Sequence, residues 1–198
     1  MEWFGTKLIM SGDHILPDET AILVINHASQ VDWAYIGASL YYACMPYFRA
    51  YNCKFITQEK MKHIPGLGEL KVLFNLRKLT TVNSNARSTG WIIQMSNSIF
   101  LKLRWQDDKM ILTRNLHYFQ ALRLRVLLIL FPEGAIFQDK TKKLSNAYAQ
   151  KIGKPEYQYV LHPKTKGFSH TAMYQLRSNY LDAIYDITLA FHGNAQNV

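Results

Sequence analysis

In the stretch Asn26-His27-Ala28-Ser29-Gln30-Val31-Asp32 a histidine and an aspartate stand five positions apart, directly after the apolar run Ala21-Ile22-Leu23-Val24-Ile25. With a turn between them, that spacing lets the carboxylate fold back onto the imidazole. It then fixes one ring nitrogen as N–H and leaves the other free as a base. Such a base removes the proton of an alcohol while the alcohol oxygen attacks an activated acyl carbon, and no serine or cysteine nucleophile is required. That chemistry suits a chain without a G-x-S-x-G elbow, in which neither Cys44 nor Cys53 has a histidine-rich neighbourhood. The plain alternative is a structural histidine bonded to a nearby carbonyl, with Asp32 a first-turn acid favouring the helix dipole.

A second candidate is Phe131-Pro132-Glu133-Gly134, which sets a carboxylate directly after another apolar run. Proline removes a backbone donor and glycine allows close approach, the chemistry of a loop that grips a substrate. The same residues also make an ordinary strand-ending turn. Lys164 and Lys166, beside Pro163 and Gly167, offer phosphate contacts or are solvated surface cations.

The elements that must position these residues alternate between strand and helix. Strands are expected at Thr20 to Ile25, Lys54 to Ile56, Ser98 to Leu103, Arg125 to Phe131, Tyr157 to Leu161 and Ala183 to Ala190. Helices are expected from about Gln30 to Ala43, from Asp107 with Leu112, Leu116, Phe119 and Leu122 on its apolar face, from Ser145 to Lys151, and from about Ser169 to Asn179. Thr57 is expected to cap a helical turn that stops at Pro65-Gly66. The alternation implies an α/β fold, a mostly parallel central sheet flanked by helices. In such sheets function collects beyond the carboxyl edge, where both candidate loops fall.

At 198 residues, with 48% hydrophobic and 19% charged, the chain suits one domain with a sizeable core. Two cysteines without a C-x-x-C pair, and no cluster at ligand spacing, argue against a disulfide framework or a zinc site. The net charge is +9, and the stretch from Asp139 to Arg177 holds eight Lys or Arg against two acids. A field of that sign draws phosphate, in an anionic lipid surface, a phosphorylated small molecule or a nucleic acid. No nucleic-acid recognition signature accompanies it, so a nucleic-acid partner is not expected. The longest mostly apolar stretch, Ala34 to Phe48, is too short to span a bilayer and contains Pro46, and no signal peptide precedes it.

Asn26-His27 through Asp32 and Phe131 through Gly134 resemble the NHxxxxD and FPEG blocks of the glycerolipid (1-acylglycerol-3-phosphate) acyltransferase family. Ile64-Pro65-Gly66-Leu67-Gly68, Ser145 to Ala149, Tyr159 to Phe168 and Leu181 to Thr188 are similar to its lysocardiolipin acyltransferase branch. The resemblance implies transfer of a fatty acyl group from acyl-CoA, a co-substrate rather than a cofactor, to a free hydroxyl of a lysophospholipid, of the lysophosphatidic acid or lysocardiolipin type, at an endoplasmic reticulum membrane. It implies His27 as general base, Asp32 as its orienting partner, and Glu133 and Gly134 near the glycerophosphate. Pro163 would shape the acyl site, and Asn26, Arg104, Lys164 and Lys166 complete the substrate-binding set.

Several features depart from that pattern. Leu103 stands where the family has a phosphate-holding Arg, and a one-residue shift along a strand turns Arg104 to the opposite face unless a bulge restores it. Ala135 replaces the usual Thr or Ser. Glu69 to Thr89 separates a Gly from the Trp that normally follows it, the mark of an unspliced intron or of a lineage-specific loop. The expectation is a single acyltransferase domain over residues 1–198, lacking flanking membrane helices and a C-terminal part. The alternative is a catalytically impaired family member that binds lipids or anions.

Overall fold

The computed structural model of the protein describes residues 2–3, 6–16, 18–29, 32–43, 52–59 and 98–191. The proposed insertion, Glu69 to Thr89, and the Pro65-Gly66 pair lie outside them.

Two short strands, β1 (Glu2–Trp3) and β2 (Thr6–Lys7), pair antiparallel. The body of the fold is one parallel sheet of five strands in the order β5-β4-β6-β3-β7. These are β3 (Ala21–Ile25), β4 (Cys53–Gln58), β5 (Ile99–Leu101), β6 (Leu127–Leu130) and β7 (Ala183–Ile187). Four helices accompany them among the described residues: α1 (Asp32–Ala43), α2 (Trp105–Ala121), α3 (Asp139–Lys151) and α4 (Thr165–Arg177). The expected α/β class with a parallel sheet is what the chain adopts.

The strands nearest the site read as unbroken apolar runs because both of their faces are covered. Ala21, Leu23 and Ile25 of β3 and Leu127 and Ile129 of β6 pack with Ile36 and Leu40 of α1. Ile22, Leu128 and Leu130 face the other way, onto Leu112, Leu116 and Phe119 of α2 and Ala172 of α4. β3 and β6 are direct neighbours, with Val24 opposite Leu130. The chain leaves β3 for α1 on one face of the sheet, and after β6 it passes through α3 to α4, which packs on the other. The loops that follow the two strands meet beyond their carboxyl ends, the usual place for a ligand in an open parallel sheet.

Several expected elements shift. Tyr157 to Leu161 is an irregular loop, exposed except at Leu161. The Leu161 N–H donates to the Glu133 side chain, and among the described residues β7 is already the edge of the sheet. Thr57 lies inside β4, which runs on to Gln58, so it does not cap a helix; the rest of the expected turn, toward Pro65-Gly66, lies outside the described residues. Leu122 falls one residue beyond α2 and is half exposed. α3 begins six residues before Ser145, α4 begins at Thr165, and β7 stops at Ile187.

Candidate active site

β3 delivers the chain to His27, and α1 begins at Asp32, whose carboxylate is fully buried. One oxygen, Oδ2, accepts three N–H bonds: from His27 Nδ1 at 2.8 Å, from the Ala28 backbone at 2.7 Å and from the Ser29 backbone at 2.9 Å. Two of those donors are amides that only donate, so Oδ2 is committed as an acceptor. The ring must therefore carry a proton on Nδ1, and in the neutral ring that leaves Nε2 with its lone pair. The other carboxylate oxygen, Oδ1, is buried without a partner. The His27 side chain is 21% exposed, and its ring stacks on Phe131 with centroids 4.4 Å apart.

Glu133 closes the second loop onto the first. It is buried, and its two oxygens accept from the His27 backbone at 3.2 Å and from the Leu161 backbone at 3.3 Å. Burial pushes its pKa up, and the two backbone donors pull it partly back. The loops are sewn together further by Phe137 N–H donating to the His27 carbonyl at 2.9 Å. Glu133 thus holds up the histidine loop from behind.

Gly134 is the position where glycine is needed, with φ at +67°. A side chain there would also meet Lys164, whose Nζ lies 3.2 Å from where a Cβ would sit. Lys164 is anchored by its own N–H on the Pro132 carbonyl at 2.7 Å, so its ammonium is laid across the loop that backs His27. The carbonyl of Gly134 accepts from Gln58 Nε2 at 2.9 Å. Gln58 was not among the expected site residues. The signal was its place at the carboxyl end of β4, next to β6, hidden because the expected strand stopped at Ile56.

The structure brings together His27, Asp32, Glu133, Gly134 and Lys164. The remaining candidates stand apart. Asn26 turns to the chain just past the neighbouring strand β7: its amide donates to the Leu189 carbonyl at 2.9 Å and accepts from the Leu189 N–H at 2.7 Å. Both of its hydrogen-bonding ends are therefore spent on backbone. Arg104 stands three residues past the edge strand β5, at the start of α2, with β4 between that strand and β6, and pairs with Asp107 at 3.1 Å while 73% exposed. Leu103 before it has φ of +62°, a local reversal just past the strand. Pro163 and Lys166 are exposed on either side of Lys164. Among the described residues no group of side chains is suited to hold a metal ion. A groove of about 580 Å³ lies along the outer side of α2, but it is open and shares no residue with the His27 loops.

The family model described as Acyltransferase matches residues 7–192 of the chain. Lysocardiolipin acyltransferase 1 of Gallus gallus is 32% identical over 191 residues, covering 96% of this chain and 44% of that protein. The Danio rerio protein of the same name is 30% identical, covering 96% and 42%. Lysophosphatidylinositol acyltransferase 10 of Caenorhabditis elegans is 28% identical over the same shares, 96% and 42%. The chain thus spans less than half the length of these relatives. No solved structure matches it.

Proposed function

The chain belongs to the acyltransferase family, and from that premise we propose that it moves a fatty acyl group from acyl-CoA to a free hydroxyl of a lysophospholipid, with His27 as general base. The observation that carries this reading is the 2.8 Å bond from His27 Nδ1 to an Asp32 oxygen already held by two backbone amides. It presents Nε2 as the ring's free nitrogen.

In the proposed step Nε2 takes the proton of the acceptor hydroxyl as its oxygen attacks the thioester carbonyl. The new C–O bond forms, the C–S bond breaks, and the proton on the imidazolium passes to the departing CoA thiolate. Asp32 steadies the imidazolium between these events. Lys164 supplies a fixed positive charge for the acceptor's phosphate, and Gly134 admits that phosphate close to the backbone. Phe131 limits the ring to one plane.

Labelled acyl-CoA incubated with a panel of lysophospholipids tests the assignment. The intact chain is expected to label at least one acceptor, and His27→Ala to lose about 10²- to 10⁴-fold in rate while keeping its circular dichroism spectrum. Full activity in His27→Ala overturns it. A second reading, a lipid- or anion-binding module without turnover, is favoured by one observation, the capture of Arg104 by Asp107. Saturable lysophospholipid binding with no label transferred supports that reading instead.

A further inference from the structure

α3 and the loop after it have an unusual surface. Only Ala149 of the helix is buried. Leu144, Tyr148 and Ile152, four residues apart and so on one side of the helix, are 65%, 54% and 42% exposed. Tyr159, at the tip of the following loop, is 83% exposed. Apolar side chains outward and a nearly empty inner face are the reverse of a helix that packs on a core.

Lysines border the apolar stripe. Lys140 and Lys151 lie on the same side of the helix, with Lys143 and Lys154 beside them, all exposed. The segment from Asp139 to Glu156 holds five lysines against two acids. One of those acids, Glu156, has both oxygens occupied, by Asn146 and Gln150 at 2.8 Å each. Five lysines outnumber the exposed Asp139 and Glu156, so the face toward solvent is cationic and greasy together, the composition of a helix lying in a membrane interface.

The unit is held rigidly and at the right place. His162 is buried between the rings of Tyr157, stacked at 4.3 Å, and Tyr148, edge-on at 6.5 Å. Its N–H donates to Ser145 at 2.8 Å, which folds the loop back on the helix. At one end the segment enters from Phe137, bonded to the His27 carbonyl, and at the other it leaves through Leu161, bonded to Glu133. Whatever this surface touches is therefore touched beside the candidate base.

We propose that the outer side of α3 and the loop to Val160 dock on an anionic phospholipid bilayer, holding the His27 loop beside the lipid from which its acceptor comes. The inference rests on the lysophospholipid reading above for its biological sense, and on charge complementarity and the exposed stripe for its physics. Each lysine at an anionic surface contributes about fivefold in partition, and the aromatic and aliphatic side chains add the apolar contribution.

The test uses the full chain and sedimentation with vesicles of phosphatidylcholine alone or mixed with phosphatidylserine. The chain is expected to bind the mixed vesicles and to bind phosphatidylcholine far more weakly. Lys143→Gln with Lys151→Gln should weaken binding to mixed vesicles roughly 25-fold, and Leu144→Gln with Tyr159→Ser should weaken binding to both kinds. These four positions are exposed, so circular dichroism should be unchanged. In acyl transfer the variants should keep the intact chain's rate on a short-chain, monomeric lysophospholipid and lose rate on acceptor embedded in vesicles. Undiminished vesicle binding by both variants overturns the proposal. So does a self-association of the intact chain that Leu144→Gln with Tyr159→Ser abolishes, which would make a second copy the occupant. Vesicle binding through this face without turnover on any acceptor leaves the docking intact and refutes the enzymatic reading.

Discussion

Replacing Asp32 by asparagine tests the geometry of the candidate base more sharply than removing it. An amide in that place has one oxygen and one NH2, and the backbone N–H groups of Ala28 and Ser29, at 2.7 and 2.9 Å from Oδ2, both need an acceptor. Turning the NH2 toward them would set donor against donor, at about 1–3 kcal/mol for each buried group left unpaired. The oxygen is therefore forced to the Oδ2 position, where it still accepts from His27 Nδ1 and still holds the ring with Nε2 free. What is lost is the negative charge. A hydrogen bond to a charged group contributes about 1.5–3 kcal/mol against about 0.5–1.5 for a neutral one, so the imidazolium loses about 1–2 kcal/mol of support. At one decade per about 1.4 kcal/mol, kcat should fall roughly 5- to 30-fold in Asp32→Asn. Asp32→Ala, which removes the acceptor and frees the ring, should fall about 10²- to 10⁴-fold. The amide NH2, forced into the buried place of the unpartnered Oδ1, should also cost about 1–3 kcal/mol of folding stability. Steady-state transfer of labelled acyl-CoA and urea unfolding measure the two effects. If Asp32→Asn falls as far as Asp32→Ala, the two backbone donors do not dictate the amide's orientation. If its kcat is unchanged, the charge on Asp32 plays no part in the step.

Asn26→Ala should destabilise the fold by about 1–3 kcal/mol, because the Leu189 backbone loses both of its partners. It should leave KM for the acceptor unchanged, and a large rise in KM at full stability would return Asn26 to the substrate. Gly134→Ala should cost about 1–2 kcal/mol from the left-handed backbone alone. By displacing the Lys164 ammonium 3.2 Å from the new Cβ, it should also raise KM for a phosphate-bearing acceptor. Tyr185 donates to the Glu19 carboxylate, and burial first, then that bond, push its phenol up to about 12 from 10.0. The folded state therefore holds this proton more tightly than the unfolded chain. The stability it contributes is complete below pH 10.0 and is lost as pH rises toward about 12, so Tyr185→Phe should flatten the stability curve in that window.

The elements legible in the sequence were those whose burial leaves a pattern. β3 and β6 are covered on both faces and read as continuous apolar runs; α2 buries Leu112, Leu116 and Phe119 at helical spacing. The first half of α3 left no such trace, because from Asp139 to Leu144 the helix fully buries no residue and no apolar one even in part. It is started instead by a local exchange, Gln138 N–H donating to Thr141 Oγ1 at 2.9 Å and that hydroxyl donating to the Ile136 carbonyl at 2.8 Å. The run Tyr157 to Leu161 has the composition of a strand, yet Tyr157 stacks on His162, Tyr159 stands in solvent, and the end of the run meets Glu133. Composition records that a residue packs, and does not record against what.

The same limit separates the half of the site that was legible from the half that was not. His27 and Asp32 are five residues apart, and their bond follows from one turn of chain. Glu133 meets His27 across 106 positions, and that meeting depends on strand register. In β6 the odd residues Leu127 and Ile129 face α1, and Phe131, continuing the alternation, packs against the same cluster. Because Val24 lies opposite Leu130, Phe131 and Glu133 emerge beside the residues that follow Ile25. A slip of one residue would carry Phe131 to the α2 and α4 side and take the stacking surface from His27. The pairing of base and brace is thus decided by which apolar residues face α1. The apolar register of β6 is in that sense part of the chemistry, although none of its residues from Leu127 to Leu130 carries a polar side chain.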